Sequence, residues 1–552
     1  MSEAAGRAAR IAAVALAALV ALLAGTAARA GSPASPYVYA HHEVGTQVAA
    51  AQAGFDRGLT LIYAYNAEEA QKAFRQAAQL DPGMPMAWWG IALSLGPDIN
   101  SDPDPASVLK AAAAIERARQ LESLRPNALE REYIEALAPR YSSAADPDFD
   151  QLALAYRDSA HALAARHPGD ADAAALYAEA AMDVHPWQLW SATGEPTEGT
   201  PELVRVLEAG LRDHPEHIGL MHYEIHAVEA SNEPGRALAA AHRLAAQSME
   251  PAAAHLVHMP AHTFLRVGDW QSAIHANEHA VHAAVDYRIS EDPGVHQACG
   301  HCLDFLVYAY SMSGNAAKAL EASQAASELM GDPVDLYAVL ARFHRGEQLL
   351  AIPEPAAEPK PKDEIDVHVV RAMWHYGRGI ASVDAGDRAV AARELAALRA
   401  ERALAPPVPP PSAAPAVAKV TERITDAAYG AMLALADQLL DARIAAASGD
   451  RRGAIARLRA AVATQDAAQY TEPPVWLYPV RQSLAAALMS AGQRREAEAV
   501  LRESLRRVPG DARAQLALAG LLKRSDQKAE AAALRASAAG AQAYADTPFL
   551  LE

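Results

Sequence analysis

Cysteine is almost absent from this chain: two in 552 residues, which excludes a disulfide-built scaffold. Aromatic residues are also scarce, 6% against an apolar content of 51% in which alanine is prominent. That balance suits helices packed closely through small side chains. It argues against sandwiches and barrels, which need β-branched and aromatic residues at period two. Basic residues are in deficit, 49 against 67 acidic ones, for a net charge of −18. With no basic run, nucleic acid is not an expected partner. Beyond the first thirty residues no stretch is long and apolar enough to span a membrane.

The N-terminus is the exception. Arg7 and Arg10 precede the apolar run 11–27, and Ala28-Arg29-Ala30 supplies a small-x-small cleavage site before Gly31. Residues 1–30 therefore read as a secretory signal peptide. The expectation is a soluble exported protein, periplasmic or secreted.

The rest of the chain repeats. Gly58, Ala70, Phe74, Ala77 and Pro82 carry the spacing of the 34-residue tetratricopeptide repeat. With the small residue of each second helix set at repeat position 20, Ala70, Ala237, Ala273, Ala319, Ala391, Ala454 and Ala497 fall in phase. Five of these follow a glycine five residues earlier: Gly268, Gly314, Gly386, Gly449 and Gly492. A glycine there lets the chain turn from helix A to helix B. The fold class expected is all-α, a tetratricopeptide-like helical-hairpin solenoid whose concave groove is lined by the A helices. Two proline-rich stretches interrupt it. Residues 351–365 read as a connector between an N-terminal part, 31–350, and a C-terminal part, 366–552. Residues 406–415, with six prolines in ten, form a loop inside the latter.

Fourteen of the 21 histidines lie between His185 and His301. Their phase matters more than their number. Repeat positions 2, 5, 9, 12 and 13 share the groove-facing stripe. His222, His226 and Glu229 take positions 5, 9 and 12 of one repeat. His255, His258, His262 and Arg266 take 2, 5, 9 and 13 of the next, and His301 and Asp304 take 2 and 5 of a third. Pairs at i, i+4 can bind one metal ion. The ligands expected are thus His222, His226, His258 and His262, with His301 and Asp304 as further ligands. Glu229 would orient an imidazole or act as a base, and Arg266 would hold an anionic group. Imidazole donors suit copper, zinc and iron, and copper is the first choice in an exported, histidine-rich protein. Groove side chains touch few core neighbours, so their loss should leave the fold intact. The alternative is a scaffold without chemistry, holding a small molecule, peptide or partner protein in its groove.

Other features read more plainly. His222-Tyr-Glu-Ile-His226 is not the zincin HExxH, because Glu224 falls about 200° from His222 around the helix. His275, His279 and His282 lie on an outer helix and are expected at the surface. Cys299 and Cys302 flank His301; a local disulfide is the simplest reading, with a thiolate ligand as the other. Glu179 and Met182 fall in groove phase upstream. The run Tyr470–Gln482, with three prolines and two further aromatics, is either a packed corner or a second pocket wall.

The runs FDRGLTLIYAYN, PMAWWGIALSLGP, LYAEAAMDVHPWQLW, HYEIHAVEAS, HLVHMPAHTFLRVGDW and EPPVWLYPVRQSL resemble a bacterial family of exported tetratricopeptide proteins of about this length. The resemblance implies the fold but little about function. Asp304 stands where relatives carry a histidine, and Ala67 stands where they carry another.

Overall fold

The computed structural model describes residues 37–288, 294–356, 366–405, 420–522, 527–549 and 551. The signal-peptide reading of 1–30, residues 357–365 of the connector and the loop 406–415 lie outside them. The fold is all-α, built of tetratricopeptide-like helical hairpins; the described residues hold one isolated β-bridge, Trp190 with Pro196. No helix among them is long and apolar enough to cross a membrane.

The hairpins form where the repeat phase puts them. All seven position-20 alanines are buried, none more than 2% exposed, because a larger side chain would hold helices A and B apart. The five turn glycines all have φ between +75° and +83°, the left-handed region that L side chains rarely adopt. Asn315, Asp387 and Asp450 each follow such a glycine, and their side chains accept a backbone N–H of the next helix as N-caps.

The described chain divides into two compact units. The first takes residues 37–263. Its helices pack in succession from Ala49–Ile62 and Ala67–Leu80 through Ala171–Met182 and Thr200–Asp213 to Ile218–Glu229. Its start then returns to its end. Val38 N–H donates to Ser248 O at 2.8 Å, Arg57 Nε to Glu250 at 3.0 Å, and Asn66 Nδ2 to Ala252 O at 2.9 Å. The start of the unit is therefore fastened to its end. All twelve residues of Ile218–Glu229 are buried, so this helix has no solvent face.

The second unit takes 264–405 and 425–551. It too joins distant segments. Trp270 Nε1 donates to Gly510 O, and the Asp546 carboxylate accepts from the N–H groups of Ala316 and Ala317. His275, His279 and His282 are exposed on its helix Trp270–Arg288, as their outer position requires.

Candidate metal centre

Three short helical segments of the first unit bring five histidines together. His222 and His226 come from Ile218–Glu229, His255 and His258 from Ala254–His258, and His262 from the first turn of Pro260–Val267. Their imidazoles close a ring. Centroid separations are 4.9 Å from His222 to His255, 6.0 Å to His258, 4.6 Å to His262, 5.6 Å to His226 and 4.8 Å back to His222. His222, His226, His258 and His262 are at most 4% exposed.

The hydrogen bonds fix which nitrogens are free to coordinate. His222 Nδ1 donates to the Tyr63 carbonyl at 2.7 Å. His226 Nδ1 and His262 Nδ1 donate to the two oxygens of Glu229, at 2.8 and 2.6 Å. A carbonyl and a carboxylate can only accept, so these three imidazoles carry their hydrogen on Nδ1 and present Nε2 as a lone pair. Burial, then the charge of His226, holds His222 well below its ordinary pKa. Burial likewise lowers His226 against the pull of Glu229. Burial raises the Glu229 carboxyl, but His262 and His226 outweigh it and keep it ionised.

The Nε2 atoms converge. His222 Nε2 lies 3.1 Å from His255 Nε2, and His262 Nε2 lies 2.7 Å from His258 Nε2. His226 Nε2 is buried with no hydrogen-bond partner among the described residues. Ligand atoms of His222, His226 and His255 all lie within 4.8 Å of one another. Two nitrogens bound to one metal at about 2.0–2.1 Å stand roughly 3 Å apart, so small movements would bring the atoms of His222, His226 and His255 into one coordination shell. The residues fit a metal ion: Nε2 lone pairs on His222, His226 and His262, one of them an orphan, nitrogens of His255 and His258 facing the other two, and a carboxylate orienting two rings from behind.

Two aromatic residues brace the ring from strained backbone. Tyr65, at φ 53°, packs 4.7 Å from His222 and 5.3 Å from His255. Trp187, at φ 61°, sets its ring edge-on to His226 at 6.0 Å. A non-glycine residue in this region costs about 1–3 kcal/mol, and such strain clusters at functional sites.

The sequence reading thus finds His222, His226, His258, His262 and Glu229 gathered, with three corrections. The set is buried, not lining an open groove. His255, placed in groove phase but not chosen as a ligand, belongs to it. Glu229 orients two imidazoles at once; with both oxygens so engaged, it is not placed to act as a base. Arg266, His301 and Asp304 belong to the second unit. Arg266 lies over the Tyr470 ring at 5.5 Å, and His301 Nε2 lies 3.9 Å from Glu472. Asp304 has Asp335 and Asp332 as its charged neighbours; burial, then their repulsion, raises its carboxyl well above the usual range. That is an acidic cluster, not the imidazole company expected of a ligand. Cys302 is buried, and the Cys299 side chain lies outside the described residues.

Glu179 is held by Arg140 at 2.7 Å and by the Tyr156 hydroxyl at 2.7 Å, a buried structural network. A second cluster escaped the sequence reading. His42 Nδ1 and His217 Nε2 meet the Asp172 carboxylate at 2.8 and 3.0 Å, and Tyr63 OH donates to it at 2.5 Å. Burial raises Asp172, but His217 and His42 outweigh it and hold it far below the usual carboxylate range. Both oxygens are already engaged, so this cluster reads as a fastening of the fold.

No family model matches the chain, and no curated protein matches it in sequence. Among solved structures it is similar to the human IFIT1 dimer with m7Gppp-AAAA at 12% identity, over 90% of this chain and 91% of that one, with a TM-score of 0.32. It is similar to yeast Tom70 at 12% identity, over 90% and 92%, with a TM-score of 0.29. Neither likeness bears on what this chain binds.

Proposed function

We propose that this chain is an exported metal-binding protein of tetratricopeptide-like hairpins, and that its five-imidazole ring holds a transition metal. Copper is the first choice, then zinc or iron, because the inward donors are all imidazole nitrogens. One observation carries the reading: three buried histidines have Nδ1 tied to pure acceptors, leaving each Nε2 a lone pair, two of them within 3.1 Å of a further imidazole nitrogen. The bound ion would supply Lewis-acid or redox chemistry. His222, His226, His255, His258 and His262 would hold it, and Glu229 would fix the tautomer and direction of two of them. The burial of the site speaks against a peptide groove as its purpose. Export is supported by the leader-like residues 1–30.

The test is metal content. The purified chain, and the apo chain titrated with Cu(II) and Zn(II), should bind at least one ion per molecule. A folded wild-type chain that takes up neither metal overturns the proposal.

A further inference from the structure

The second unit contains a cavity of about 280 Å³ that the metal site does not use. Its floor is alanine-rich, with Ala338, Ala442, Ala446 and Ala487 presenting methyl groups. Its wall is aromatic: Tyr376, Trp476 and Tyr478, the last two from the proline-rich run that stood out in the sequence. Tyr376 and Trp476 meet at 5.4 Å and 75°, and Trp476 and Tyr478 at 6.2 Å, so the wall is braced edge to face.

The side chains that carry fixed charge at this cavity are both cations, Arg342 and Arg443, and Ser483 and Ser490 add hydroxyls. Arg342, His344 and Arg443 line it, and no acidic side chain does. Arg342 lies over the Tyr478 ring at 4.8 Å and donates to the Leu477 carbonyl. His344 and Arg443 are held from behind by Asp384, at 2.7 and 2.9 Å. Trp476 is 4% exposed, and its Nε1–H is buried with no acceptor among the described residues. His344 has φ 53°. Every non-glycine residue of positive φ among the described residues therefore stands either at the imidazole ring or at this cavity.

We infer that this cavity binds a small monocarboxylate with an apolar body. The alanine and aromatic surface takes the body, and the Arg342 and Arg443 guanidiniums that line it select an anion over a neutral or cationic analogue. At roughly 30 Å³ per non-hydrogen atom, the volume suits a molecule of about ten such atoms. The inference stands apart from the metal, since none of its residues belongs to the imidazole ring.

Calorimetric titration of the full chain with octanoate tests it, with octanol and octylamine as neutral and cationic probes of the same length. Octanoate should bind at least tenfold more tightly than either. Arg443→Gln, which removes a lining cation and keeps a long polar side chain, should weaken octanoate about tenfold. Ala487→Leu, which fills the cavity from a half-buried helix position, should abolish binding. Circular dichroism checks that both variants fold; should Arg443→Gln not fold, the octanoate-to-octanol ratio decides. The inference is overturned if the wild type takes up no octanoate, if octanol or octylamine binds equally well, or if folded Arg443→Gln binds octanoate unchanged.

Discussion

Two helices of this protein carry histidine pairs at the same i, i+4 spacing and differ in almost everything else. On Ile218–Glu229 the His222 and His226 rings lie 4.8 Å apart at 55°, buried, with each Nδ1 fixed by an acceptor. On Trp270–Arg288 the His275 and His279 rings stack 5.5 Å apart at 24°, exposed to solvent. Spacing alone makes a pair. What separates a ligand pair from a surface pair is the environment: burial keeps the ring neutral, and a fixed Nδ1 donor aims Nε2. The outer pair has the same chemistry without that preparation.

The largest expected effect comes from removing the inner pair. His222→Ala with His226→Ala should abolish metal binding, while His275→Ala with His279→Ala should leave it unchanged by elemental analysis. Because the inner pair is buried, its loss should also cost about 2–5 kcal/mol of stability in the metal-free chain, read by denaturant titration. The outer pair should cost less than about 0.5 kcal/mol. Equal metal content in the two variants would erase the distinction.

Glu229→Gln sharpens it next. A carboxamide oxygen can accept from one imidazole, but its NH2 group must then face the other Nδ1–H. Metal affinity should fall about 10- to 100-fold, as measured by competition with a chelator, while the helical signal persists.

The smallest effect concerns a burial-driven shift of opposite sign. In the second unit, burial and then Asp332 push the Asp335 carboxyl up to about 7. The folded chain therefore holds this proton more tightly than the unfolded chain, whose carboxyl titrates near 4. The associated stability is present below pH 4 and is lost as pH rises toward 7. Thermal melts of Asp335→Asn should show a flatter decline than wild type over that window, by a few degrees at most.

The local geometry of the hairpins was legible in the sequence. The position-20 alanines and turn glycines obey rules set within one repeat, and every one of them sits as its phase requires. The histidine phase was legible for the same reason. The burial of the ring was not. It depends on Tyr63 and Tyr65, 159 residues from His222 in the case of the Tyr63 carbonyl. No periodicity of 34 residues announces a contact of that span. The packing consequence was misjudged accordingly: side chains expected to be dispensable for stability are part of the core.

The bond from His222 to Tyr63 reaches beyond the metal. In an open repeat array each hairpin touches only its neighbours, so such arrays can lose repeats one at a time from either end. Here the first hairpin is fastened to segments near residues 222 and 250, which removes one free end from the array. Residues 38–252 should then unfold as a single cooperative block, with amide exchange protection that is even along the unit and not graded toward Ala49–Ile62.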